Sequence, residues 1–107
     1  QILGGLAQGV GGALYEQFVY DDQGQPLATS FMDYLMPTLT EMPDVEILLS
    51  EDAPSPLNPL GVKGAGEGGT TGAGAAVAGA IADALGRADA IRSIPVGPWT
   101  VRSLITS

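Results

Sequence analysis

Glycine places the tightest constraint on what this chain can fold into. Of its 107 residues 16 are glycine, five of them within the first twelve positions and seven in the stretch GVKGAGEGGTTGAG, residues 61–74. Backbone this free is of use where the chain must bend sharply or where another group must come close to it. The second cluster also holds one lysine, Lys63, and one acid, Glu67, so the first question is what a lone carboxylate does among so many glycines.

Size and charge narrow the answer. A chain of this length has room for one domain, here residues 1–107, burying about two-thirds of its unfolded surface around one modest core. Acids outnumber bases 12 to 4, for a formal charge of −8, and Lys63, Arg87, Arg92 and Arg102 are too few for sequence-independent binding of nucleic acid or of an anionic membrane. The absence of cysteine and histidine removes disulfides, zinc sites with nitrogen or sulfur ligands, and every catalytic triad built on imidazole or thiol. No metal ligand set is predicted. No apolar run approaches the roughly 20 residues of a membrane span, and no basic region precedes the first apolar run as it would in a signal peptide. A cytoplasmic, water-soluble chain is the expectation. Because it opens on Gln1 inside an apolar run, it reads as a piece of something longer.

Along the chain, Ile2, Leu3, Leu6, Ala7, Val10, Ala13, Leu14 and Phe18 recur at spacings of three and four, which predicts a helix over 2–18 despite its glycines. Five glycines weaken a helix by about 1 kcal/mol each, so this one needs tertiary support or uses the glycines to admit a neighbour: a helix, a strand or a ligand. QFVY, the turn DDQGQP and LATSF predict a hairpin-like pair, and VEILLSE, residues 45–51, a strand. Pro54, Pro56 and Pro59 then force an ordered loop. Thr70 or Thr71 is the expected N-cap of a buried helix through AGAAVAGAIADAL, with Gly86 as its C′ residue. AIRSIPV predicts a last short strand, and WTVRSLI the start of a terminal helix after Pro98. The order suits an α+β two-layer sandwich, with helices packed on one face of a small mixed or antiparallel sheet.

The glycine loop matches two phosphate-binding patterns in form only. Gly64-x-Gly66-x-x-Gly69 has the dinucleotide spacing, but that motif needs a strand running directly into its first glycine, and three prolines stand there instead. A P-loop needs its lysine after the glycines, and Lys63 precedes them. Taken alone, Glu67 reads either as a solvated acid near a helix N-terminus or as a carboxylate held close to something that the glycines let approach.

Five blocks, in order along the whole chain, resemble one family: QILGGLAQGVGGALYEQFVYD, DYLMPT, PSPLNPLGVKGAGEGG, AAVAGAIADAL and IPVGPWTV. The chain is similar to the C-terminal portion of the molybdopterin-binding large subunit of the xanthine dehydrogenase, aldehyde oxidase and aerobic carbon monoxide dehydrogenase family, and looks closest to the carbon monoxide dehydrogenase-like branch. Relatives often carry asparagine where Gly79 stands and proline where Gly74 stands.

The resemblance implies a molybdopterin-dependent oxidoreductase, a hydroxylase or dehydrogenase, of which this chain is a C-terminal domain. It implies that Glu67, the glutamate of the family's Gly-x-Gly-Glu segment, lies beside the molybdenum and acts as the base in substrate hydroxylation. A carboxylate on a glycine loop among apolar neighbours suits that task, because desolvation raises its proton affinity. On the same terms Gln1 and the loop backbone at Gly64, Gly66 and Gly68 are cofactor-binding candidates, with Gln8 an alternative polar contact. The implied cofactors are molybdopterin in the full enzyme, with iron–sulfur clusters and FAD on other modules. The implied partners are the rest of the large subunit and the iron–sulfur and flavin subunits or domains. The isolated piece is expected to hold no cofactor and to be inactive. The competing expectation is a stand-alone acidic α+β interaction module without catalysis, in which Glu67 is only a loop residue.

Overall fold

The structure, a computed structural model, describes residues 1–106. Four helices are present: α1 (Ile2–Leu14), α2 (Gly68–Thr71), α3 (Ala73–Ala84) and α4 (Pro98–Thr106). Helix α1 stops four residues earlier than its apolar spacing suggests. The amides of Tyr15 and Glu16 both turn back to the Gly11 carbonyl at 2.9 Å, closing the last turn, and Phe18 leaves the helix to lie against Tyr34 with ring centroids 4.9 Å apart.

The face that α1 buries is its glycine face: Gly5, Gly9, Val10, Gly11 and Ala13. Leu3, one of the periodic apolar positions, is exposed. Against this face lie α2 and α3, and the approach is close enough to forbid side chains. A Cβ on Gly9 would meet the Ala73 Cβ, and one on Gly69 would meet the Ile2 carbonyl oxygen and lie 2.7 Å from the Leu6 nitrogen. Of the neighbours glycine admits in a helix, α1 has taken another helix.

Helix α3 ends as its sequence predicts. Gly86 has φ +64°, its N–H donates to the Asp83 carbonyl and the Arg87 N–H to the Ala82 carbonyl, each at 2.9 Å, the paired bonds of a Schellman cap. Its start corrects the sequence reading. Gly72 is the N-cap, and Thr70 and Thr71 lie inside the preceding turn with their hydroxyls bonded to the carbonyls of Gly5 and Glu67. Nor is α3 buried on every face, since only Ala73 and Ala82 are fully covered.

Among the described residues no sheet forms. The hairpin-like segment makes one bridge, Tyr20 with Pro26, and a bond from the Leu27 amide to the Val19 carbonyl at 2.7 Å. Residues 45–51 and 90–96 make no ladder; the Val96 amide instead donates to the Ala13 carbonyl at 2.7 Å. The proline loop is ordered, as expected: the Asn58 side chain clamps both backbone groups of Val62, at 2.9 and 3.0 Å.

The buried apolar residues are small and few: Val10, Ala13, Ala73, Ala82 and Val96. The radius of gyration is 17.4 Å, against about 13 Å for a compact domain of this length. The accessible surface of 8385 Å² is about half again the roughly 5,500 Å² that size scaling gives.

Candidate functional site

The glycine loop meets the start of α1 through a chain of specific contacts. Glu67 is the N-cap of α2, and its carbonyl accepts from the amides of Thr70 and Thr71, at 3.0 and 3.1 Å, and from the Thr71 hydroxyl at 2.8 Å. This fixes the turn that carries the carboxylate. The turn is then fastened to α1 at two points. The Thr70 hydroxyl donates to the Gly5 carbonyl at 2.6 Å, and the Gln1 amide donates to the Gly66 carbonyl at 3.3 Å.

Three of the positions singled out in the sequence therefore come together: Gln1, Gly66 and Glu67, from segments 65 residues apart. Gly64 and Gly68 flank them with open space where a Cβ would stand. Among the described residues the backbone N–H groups of Gly64, Gly66 and Gly68 make no hydrogen bond. The Glu67 side chain is exposed and has no hydrogen-bond or ionic partner among them. The apolar surroundings expected around its carboxylate are not contributed by the described residues. Gln8 is not part of this cluster; it lines a separate hollow with Ala7, Glu16, Tyr34, Met36 and Pro37.

The residue types suit a large oxygen-rich group. An amide at Gln1 can donate, unpaired N–H groups can donate, and side-chain-free backbone lets a bulky partner approach. Among the described residues no three His, Cys, Asp or Glu side chains gather around a common point.

Sequence reading missed the fastening of the loop by Thr70. The spacing of Gly5 and Gly9, four apart on one helix face, together with the small residues Gly69 and Ala73, was its available signal. Pairs of small residues at that spacing let two backbones approach.

Comparison with known proteins carries the same reading further. The molybdopterin cofactor-binding domain family matches residues 1–43. Over 105 residues the chain is 54% identical to the 6-hydroxypseudooxynicotine dehydrogenase complex subunit gamma of Paenarthrobacter nicotinovorans, covering 96% of this chain and 13% of that protein. It is 42% identical over 67 residues to the carbon monoxide dehydrogenase large chain of Afipia carboxidovorans, 63% of this chain and 8% of that one. The crystal structure of quinoline 2-oxidoreductase from Pseudomonas putida 86 superposes with a TM-score of 0.90 and 42% identity, over 99% of this chain and 14% of that chain.

The chain belongs to the family of molybdopterin-binding large subunits that includes the carbon monoxide dehydrogenase large chain and the xanthine dehydrogenase-type enzymes. It corresponds to a small part of such a subunit, between 8% and 14% of the length of the relatives just named.

Proposed function

We propose that this chain is the segment of a molybdenum hydroxylase large subunit that brings the active-site glutamate, Glu67, to the cofactor. The observation that carries the reading is the contact of Gln1 with the Gly66 carbonyl, which sets the two kinds of group the family uses at its cofactor side by side. When bound, the molybdenum cofactor supplies the redox chemistry. Gln1 and the backbone of Gly64, Gly66 and Gly68 hold it, and Glu67 takes the proton released as substrate is hydroxylated. The open space beside Gly64 and Gly68 would leave room for a bulky group to approach.

The rest of the enzyme follows from the same reading. Iron–sulfur clusters and FAD would be held on partner subunits or domains, and the enzyme would be cytoplasmic. The strand-like segments 45–51 and 90–96 complete an α+β sandwich by pairing with strands of the remaining subunit. That subunit also covers Glu67 and supplies the desolvation a base requires. The segment by itself is inactive. Relatives at 54% and 48% identity act, by their names, on 6-hydroxypseudooxynicotine and nicotine, and the 42% identical solved structure acts on quinoline. A nitrogen-containing aromatic ring is accordingly the proposed substrate class.

A crystal structure of the complete cofactor-loaded enzyme tests the placement. The Glu67 carboxylate is expected within hydrogen-bond reach of the cofactor's ligands, about 2.6–3.2 Å or one water away. A Glu67 side chain facing bulk solvent, with the cofactor elsewhere, would contradict it.

A further inference from the structure

Among the described residues nothing holds the Glu67 side chain itself, so its position rests on the backbone of residues 66–70 and on whatever fastens that backbone to the rest of the chain. Two hydrogen bonds fasten it to the start of the chain, and they are unequal. The Gln1 amide reaches the Gly66 carbonyl at 3.3 Å, beyond the usual range for N–H···O bonds. The Thr70 hydroxyl reaches the Gly5 carbonyl at 2.6 Å, at the short end of the O–H···O range, and is partly buried. Thr70 is also tied directly to Glu67, whose carbonyl accepts the Thr70 amide at 3.0 Å. One residue thus grips the glutamate's turn through its backbone and α1 through its side chain. The neighbouring Thr71 hydroxyl folds back onto Glu67's own carbonyl, which stiffens the turn without attaching it to anything.

The approach that makes this bond needs the absence of two side chains. A Cβ on Gly5 would stand 3.3 Å from the Thr70 hydroxyl oxygen and from the Gly69 Cα, and one on Gly69 would run into the Ile2 carbonyl. A carbonyl has two lone pairs, so Gly5 can serve its own helix and still accept the hydroxyl.

We propose that Thr70 is a positioning residue for Glu67: its hydroxyl, bonded to the Gly5 carbonyl, pins the turn bearing the carboxylate onto α1. The proposal rests on the reading of Glu67 given above. Misplacing a catalytic group by an ångström lowers a rate by up to about 10²-fold, so a loosened turn should show in turnover without loss of the cofactor.

The test uses the complete enzyme, with turnover expressed per bound molybdenum, in three variants: Thr70→Val, which keeps the shape but removes the donor, Thr70→Ser, which restores it, and Glu67→Gln. Thr70→Val is expected to lower kcat roughly 10–10²-fold with KM near wild type, and to speed hydrogen exchange of the amides of residues 66–71. Thr70→Ser is expected to recover both. The proposal is overturned if Thr70→Val leaves turnover and exchange unchanged, or if Thr70→Ser is as slow as Thr70→Val. It is likewise overturned if Thr70→Val loses its molybdenum, since a hydroxyl that only aims a side chain does not retain the metal. The Glu67→Gln enzyme separates the two ideas. If it turns over normally, the catalytic reading of Glu67 fails and this proposal with it, whatever the exchange data show. If it is slow while Thr70→Val is normal in both measurements, only the positioning role fails.

Discussion

Glu41 and Tyr34 are the side chains whose proton affinity the fold visibly moves, and both lie away from the glycine loop. The Thr38 hydroxyl and amide and the Thr40 hydroxyl all donate to the Glu41 carboxylate, holding its pKa below the usual carboxylate value. A depressed acid stabilises its turn above its unfolded pKa and ceases to do so as pH falls through the folded value. In an NMR titration of the isolated chain the Thr38 amide should therefore shift with a midpoint below that of an ordinary glutamate, and a midpoint at or above it would refute the contact. Tyr34 moves the other way. Its hydroxyl donates to Glu16 at 3.0 Å, and that bond, with desolvation and the Glu16 charge, raises its pKa. Its contribution is complete below the unfolded tyrosine pKa and lost as pH rises through the higher folded one. Tyrosinate absorbance should show Tyr34 titrating above the ordinary tyrosine value, and Glu16→Gln should lower that midpoint.

At the scale of elements, α1, α3 and α4 were legible because helix signals are local. The apolar spacing of α1, Gly86 at the end of α3 and Pro98 at the start of α4 each act within a turn or two of their own position. Thr70 was misread as a cap because its true partner, Gly5, lies 65 residues away in sequence, and no local rule reaches that far. The segments 45–51 and 90–96 have the right composition for strands, but a ladder needs a partner strand, and none is present among the described residues. Of the candidate site, the glycine loop was readable from composition, whereas the fastening to α1 left only the small-residue spacing of Gly5 and Gly9 as its sign. The helix contact yields a graded prediction. Gly4 and Gly12 face open space, so alanine there should raise the thermal midpoint of the isolated chain's helical signal, each stabilising by about 0.5–1 kcal/mol through helix propensity. At Gly9 and Gly69 the added Cβ meets Ala73 and the backbone of α1, and alanine should destabilise by about 1–3 kcal/mol. Equal effects at all four sites would show that the close helix contact does not form.

The whole molecule has the surface of something meant to be covered. Leu39, Leu57, Met32 and Leu48 are each at least 85% exposed, and large apolar exposure on this scale marks an interaction surface. An open groove of about 450 Å³ between α4 and the ends of α1 and α3, lined by Leu14, Ile81, Val96, Val101 and Ile105, adds to it. A chain that corresponds to 13% of its 54% identical relative would present such faces to the remainder of its own subunit. The isolated 107 residues should accordingly bind a hydrophobic dye, self-associate as concentration rises and copurify with no molybdenum. A monodisperse, dye-silent monomer would argue instead for the self-contained module.

The central claim concerns Glu67, and Glu67→Gln in the complete enzyme tests it most directly, because the amide keeps size and hydrogen-bonding capacity while removing the proton acceptor. Turnover per bound molybdenum should fall by at least the roughly 10²–10⁴-fold that losing general base catalysis brings, with molybdenum content and yield near wild type. A metal-replete Glu67→Gln enzyme with wild-type turnover would contradict the account.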